Sequence, residues 1–268
     1  MQNCTRYLIF FQYLGTKYSG VVRSPPHQPQ KKGVQNYIED AVRRLKPTNP
    51  VSLSVSSRTD SGVHALANSA HLDLQRRTGK PAFTEDVLLS ALNFHLRPED
   101  IRVTRVHRVP GNFHARFLAR SRTYVYRLAL GVAHWSLLPL TDLSLCWGLH
   151  NPELDVGAMR EAAALLVGTQ DFSSFRAVNS DMPFKSPVRT LDLADISPGN
   201  TFAQTHFQRD IQFWELTFKG RSFLYKQVSV GLFILYTYTY IYTGVYIYTG
   251  IYMYVYMIYV WCLLLPHC

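Results

Sequence analysis

The residues best suited to chemistry form one run, Ser57-Arg58-Thr59-Asp60-Ser61-Gly62-Val63-His64-Ala65. It sets a carboxylate between a cation two residues before it and a glycine two residues after it. Asp-Ser-Gly reads as a tight turn, because Asp caps its own backbone and Gly accepts angles closed to other residues. A carboxylate presented at a turn above a sheet can act as a nucleophile or as a base. The same residues also describe an ordinary capped turn with a solvated Asp, and a motif this short does not choose between the two.

The flanking elements would have to hold that turn. Residues 52–56 before it and 70–74 after it read as strands. Residues 6–14 are aromatic and aliphatic, as in a buried strand, and the Pro-, Gln- and Lys-rich residues 24–32 read as a surface loop. Val34, Ile38, Ala41, Val42 and Leu45 recur at helical spacing on one face, with Glu39, Arg43 and Arg44 on the other and Pro47 as the stop. A second helix starts from Thr84 as N-cap, with Glu85 and Asp86 in its first turn. Its apolar face is Leu88, Leu89, Leu92 and Leu96, and Phe83 forms a hydrophobic staple with Leu88. Residues 102–109 and 123–130 alternate as strands do. Asp155 caps a third helix that ends at Gly168, and residues 191–196 and 211–218 read as further strands. The pattern is α+β.

Bulk properties narrow the partners. A chain of 268 residues accommodates one large domain or two small ones. It carries 28 basic and 18 acidic side chains, a net charge of +10, and all of them lie at or before Lys226. Such a surface attracts polyanions, nucleic acid or anionic lipid, although a merely soluble basic protein has the same count. Cys4, Cys146, Cys262 and Cys268 have neither metal-ligand nor redox spacing, so reduced thiols and no zinc site are expected. The few residues before the first strand carry no signal or transit pattern.

The run around Asp60 resembles the signature Arg-Thr-Asp-x-Gly-Val-His-Ala of the TruA family of tRNA pseudouridine synthases. Other blocks follow in that family's order. Residues 6–20, with Tyr7, Gly15, Tyr18 and Gly20, resemble its first strand and loop, and Gly33-Val34-Gln35 the start of its first helix. Phe113-His114-Ala115-Arg116 and Ser121-Arg122-Thr123-Tyr124-Val125-Tyr126 resemble its second block. Gly168-Thr169-Gln170-Asp171-Phe172-Ser173-Ser174-Phe175 with Ser186-Pro187-Val188-Arg189-Thr190 resemble the third, and Phe223-Leu224-Tyr225-Lys226-Gln227-Val228 begins the fourth.

The resemblance implies two ferredoxin- or RRM-like halves around one antiparallel sheet with a central basic cleft, here residues 1–130 and an incomplete 131–228. It implies Asp60 as the catalytic carboxylate, Arg58 beside it holding a flipped-out nucleotide, and Tyr124 stacking on the target uracil. Arg116, Arg122 and Lys226 would contact RNA, and His64 and His114 would serve structure or RNA contact. Tyr124 is also readable as a core residue of its strand, since Tyr126 shares its face. Cofactor and metal are both expected to be absent, tRNA is the implied partner, and members are commonly homodimers. Location stays open between mitochondrion and cytoplasm. One departure stands out: the family continues after Gln-Val with an Arg that pairs with the catalytic Asp, whereas Ser229 and Val230 stand here. An RNA-binding form with impaired catalysis is therefore the rival reading.

Residues 229–268 differ in kind, with no Asp, Glu, Lys or Arg and ten of the 17 tyrosines. Their length and lack of charge suit a membrane span, but alternating Tyr and Thr suit its hydrocarbon centre poorly, so a membrane anchor is not expected. Their strand propensity suits a native strand pair. The favoured reading is an aberrant or disordered tail: Tyr-Thr and Tyr-Ile repeats are what a TA-rich microsatellite encodes, and Gln227-Val228-Ser229 can be written CAG-GTG-AGT, the form of a splice donor. Such an uncharged stretch is an aggregation hazard.

Overall fold

The computed structural model describes residues 4–24, 31–150, 153–176, 186–201, 206, 210–229, 231 and 258–263. The chain forms two compact units, which divide between Arg122 and Thr123. It is a mixed α+β protein with few helices.

The first unit holds strands β1 (Cys4–Tyr13), β2 (Leu53–Val55), β3 (His64–Gln75) and β4 (Ile101–Val109), with helices α1 (Val34–Arg44) and α2 (Glu85–Leu96). β1 lies between β4 and β3 and pairs antiparallel with both, Leu8 standing opposite His107 and His71. β2 pairs antiparallel with β3 at Ala70–Leu72. Both helices pack their apolar stripes into a core with Tyr7, Ile9, Phe11, Ala70 and Leu72 of the sheet. Val34, Ile38, Ala41 and Val42 supply the α1 stripe, and Leu88, Leu92 and Leu96 that of α2, as their spacing requires.

Glu39 departs from the expected polar face of α1: it is fully buried. Its carboxylate accepts from Gln35 Nε2 at 2.9 Å and from the Leu53 N–H at 3.1 Å, and it pairs with Arg23 and Arg43. A buried carboxylate is tolerable when every lone pair finds a donor, and here the donors tie α1 to the start of β2. Thr84 occupies the N-cap position of α2 as expected, without a side-chain capping hydrogen bond, and Glu85 and Asp86 lie in the first turn.

The second unit holds β5 (Ser121–Leu130, whose first two residues belong to the first unit), β6 (Trp147–Leu149), α3 (Val156–Leu166), β7 (Gly168–Asp171), β8 (Val188–Gly199) and β9 (Gln212–Gly220). β9 lies between β5 and β8, with β7 beyond β8 and β6 parallel to β5. Asp155 caps α3 by accepting from the Ala158 N–H at 2.9 Å. Gly168 stops that helix and at once begins β7, with φ at +108°.

Tail residues 230, 232–257 and 264–268 lie outside the described residues, and with them most of the tail readings. Ile258–Leu263 form a strand, β10, that runs parallel to β3 with Tyr259 opposite His64. Among the described residues no helix is long and apolar enough to cross a membrane.

Candidate active site

Asp60 sits on the connection from β2 to β3, and β3 begins earlier than expected, at His64. Burial alternates along the connection: Ser57 and Thr59 are buried while Arg58 and Asp60 are exposed. The expected turn follows. The Val63 N–H donates to the Asp60 carbonyl at 3.3 Å, and Gly62 has φ of +81° at the position that demands it.

Residues distant in sequence immobilise the turn. The Tyr13 hydroxyl and Thr59 Oγ1 are 2.8 Å apart in a buried hydrogen bond. The Val21 N–H donates to the Thr59 carbonyl at 3.2 Å, and Ser61 Oγ donates to the Tyr18 carbonyl at 3.2 Å. His64 Nδ1 accepts from the Gly15 N–H at 3.0 Å, so that nitrogen carries no proton. Two glycines make the approach possible. A Cβ on Gly20, which has φ of +103°, would lie 2.5 Å from the Thr59 carbonyl oxygen, and one on Gly15 would lie 2.0 Å from that of Val63. The base of the turn is equally tied: Asn68 Nδ2 donates to the Ser57 carbonyl at 2.9 Å, and Ser69 Oγ to Ser56 Oγ at 2.8 Å.

Positive charge gathers beside it. Arg116 is half-buried, and burial together with the nearby Arg58 and Arg122 guanidinium groups lowers its pKa. Arg122 joins two segments: its Nη2 donates to the Ser56 carbonyl at 2.7 Å and to the Arg116 carbonyl at 3.2 Å. Close to this cluster His71 is buried, and its Nδ1 accepts from the Ala115 N–H at 3.1 Å. Burial, then Arg6 and His114, push its pKa down to about 4 against a smaller opposing effect of Asp73. The hydrogen-bonded Arg6 guanidinium in turn holds Asp73 below the usual carboxylate range.

The structure thus brings Arg58, Arg116 and Arg122 together in the first unit, with Asp60 two residues along the chain from Arg58. Tyr124 and Lys226 belong to the second. Tyr124 is half-buried and meets the Phe223 ring edge-on at 4.7 Å, whereas Tyr126 is buried, its hydroxyl pKa raised by desolvation. Lys226 is exposed in a left-handed conformation (φ 56°), its ammonium 5.6 Å from the Tyr225 ring centroid. The fourth block is a turn leading into a helical start, and Gln227, Val228 and Ser229 are buried there. The supporting roles of Tyr13 and Thr59 were not legible in sequence, because a hydrogen bond between segments more than 40 residues apart leaves no local signal. Among the described residues no three His, Cys, Asp or Glu side chains gather as a metal-binding group.

Known proteins resemble this chain over most of its length. A tRNA pseudouridine synthase family model matches residues 9–118 and 162–236. A tRNA pseudouridine synthase-like 1 protein of Xenopus laevis is 52% identical over 224 residues, covering 83% of this chain and 74% of the relative. That of Homo sapiens is 51% identical over 225 residues, with 83% and 73% covered. A tRNA pseudouridine synthase A from Roseobacter denitrificans is 38% identical over 224 residues, with 83% and 76% covered. With a matched region that contains the whole β2–β3 connection, the chain belongs to the tRNA pseudouridine synthase family.

Proposed function

We propose that this chain isomerises uridine to pseudouridine in tRNA, with the Asp60 carboxylate acting on the target nucleotide. The observation that carries the proposal is the presentation of Asp60. It is an exposed carboxylate on a turn clamped from Tyr13, Gly15, Tyr18 and Val21, two residues along the chain from Arg58, which belongs to a cluster of guanidinium groups. The reaction breaks the bond from N1 of uracil to C1′ of the ribose. The base turns, a bond forms between C5 and C1′, C5 loses its proton and N1 gains one. Neither electrons nor a phosphoryl group are transferred, so the proposal includes no cofactor or metal. Asp60 serves as nucleophile on the sugar, as nucleophile on the base, or as base toward C5, and each role needs an ionised carboxylate held in place.

Arg58, exposed on the same strand-like segment, braces the extruded nucleotide, a state that costs a few kcal/mol of unstacking. Tyr124 supplies a stacking surface for the uracil. Arg116, Arg122 and Lys226 meet phosphates. The proposal extends to the family architecture of two ferredoxin-like halves with a basic cleft, and to assembly as a homodimer.

The test is release of tritium from carbon-5-labelled uridine in tRNA, this chain against Asp60→Ala. Release by the chain and none by the variant supports the proposal. One observation favours a second reading: Ser229, buried, stands where the resemblance places the arginine that pairs with the catalytic Asp. Equal absence of release with retained tRNA binding would identify an RNA-binding form without catalysis, and Ser229→Arg would then be the variant expected to regain activity.

A further inference from the structure

We infer that Phe117, seated on His114, is a stacking platform for a second, unpaired nucleobase of the RNA, distinct from the target uracil. The inference rests on the RNA-substrate part of the reading above and on neither the identity of the reacting carboxylate nor the reaction itself.

The turn at 113–119 divides its side chains by burial. Phe113, Ala115 and Ala119 enter a small core with Leu8 and Phe10. Phe117 does the opposite, with 70% of its surface exposed. Its ring is nonetheless backed: it lies 4.3 Å from the His114 ring centroid at an interplanar angle of 32°. His114 rests in turn against the buried His71, 4.7 Å away. Hydrogen bonds hold the pile. His71 Nδ1 accepts from the Ala115 N–H at 3.1 Å, His114 Nδ1 accepts from the Arg116 N–H at 3.3 Å, and the Leu118 N–H donates to the His114 carbonyl at 3.0 Å. One face of Phe117 is therefore covered by an aromatic ring and fixed by the backbone. An aromatic ring held flat and open is a surface on which a base stacks without sequence preference.

The surroundings decide for RNA over an apolar partner. Arg116 precedes Phe117, exposed Arg120 follows, and Arg58 lies near enough to Arg116 to act on it electrostatically. Arg122 links the carbonyls of Arg116 and Ser56, and so couples this turn to the segment that carries Arg58 and Asp60. An exposed ring bordered by guanidinium groups matches a base joined to its phosphates, whereas a hydrophobic protein surface would leave those cations without counter-charges.

The experiment uses the full chain with unmodified tRNA transcript and with a uridine-rich single-stranded RNA containing one 2-aminopurine. Phe117→Ala is expected to weaken binding of both by about 5- to 150-fold, with loss of the 2-aminopurine quenching. Phe117→Trp is expected to keep both. The salt slope of log Kd should stay unchanged in Phe117→Ala and fall by about one in Arg116→Ala. Phe117→Ala that binds and quenches like the original chain overturns the inference. So does a change in self-association, measured by sedimentation, without a change in RNA affinity, since it would assign the ring to a second copy of the chain. Weakened binding in a chain that releases no tritium leaves the platform standing and removes only the catalytic reading.

Discussion

The turn at Asp60 and the segment around Lys226 are both short and irregular, but they are held in different ways. Asp60 is positioned from a distance: Tyr13 reaches the 59–64 stretch from the end of β1, and Gly15, Tyr18 and Val21 reach it from the loop that follows. Around Lys226 the described hydrogen bonds are local, from the Leu224 N–H to Gln227 Oε1 at 2.8 Å and from the Gln227 N–H to the Leu224 carbonyl at 3.2 Å. On the roles proposed above, the contrast marks where accuracy is needed. Misplacing a reacting group by about 1 Å can lower a rate by about 100-fold, whereas a phosphate contact made by a long ammonium side chain tolerates looser placement.

Breaking that contrast should begin with its largest effect. Asp60→Asn keeps the shape of the turn and removes the charge, and tritium release should fall by about 10²- to 10⁴-fold with tRNA affinity nearly unchanged. Lys226→Ala should change the same rate by less than about threefold; a comparable loss in both variants would erase the distinction. Gly20→Ala comes next. It forces a Cβ against the Thr59 carbonyl at a positive φ, so thermal unfolding should show a loss of about 1–3 kcal/mol, accompanied by reduced kcat.

The second unit offers a sharper comparison within one strand. Tyr126→Ala removes a buried ring and should destabilise by about 3–5 kcal/mol. Tyr124→Ala, at a half-buried position, should weaken RNA binding by about 1–3 kcal/mol while the unfolding midpoint moves less than for Tyr126→Ala. Tyr13→Phe is a smaller change, the loss of one buried hydrogen bond to Thr59, about 1 kcal/mol. It should lower kcat and leave KM unchanged if the bond serves to place Asp60.

A last effect depends on pH. His71 has its pKa lowered to about 4 in the folded protein from 6.5, so below 6.5 the unfolded chain binds a proton that the folded one refuses. Stability should therefore fall as pH drops from 6.5 toward 4, with a slope of at most about 1.4 kcal/mol per pH unit. His71→Gln, which keeps an acceptor for the Ala115 N–H, should flatten that slope in thermal melts.

Much of the frame was legible before any coordinates. The helical stripes of α1 and α2, the Asp155 cap and the Asp-Ser-Gly turn are local matters, fixed by side-chain periodicity and by backbone freedom within a few residues. Glu39 was misread because helical periodicity reports which face is apolar, and cannot report that Arg23, Arg43 and the Leu53 N–H will gather round a buried carboxylate. The start of β3 was placed too late for a related reason. His64 and Ala65 carry no strong strand signal, but β1 pairs with Ala65 through Tyr13 and draws the segment into the sheet.

By itself, then, the sequence determined the α+β class and the family and singled out Asp60 as the candidate carboxylate, because short-range patterns and ordered motifs are written along the chain. Only the tertiary structure decided how that carboxylate is held, and which arginine clamps the loop and which stands exposed beside it. Those outcomes depend on hydrogen bonds and close backbone approaches between segments that the one-dimensional order keeps far apart.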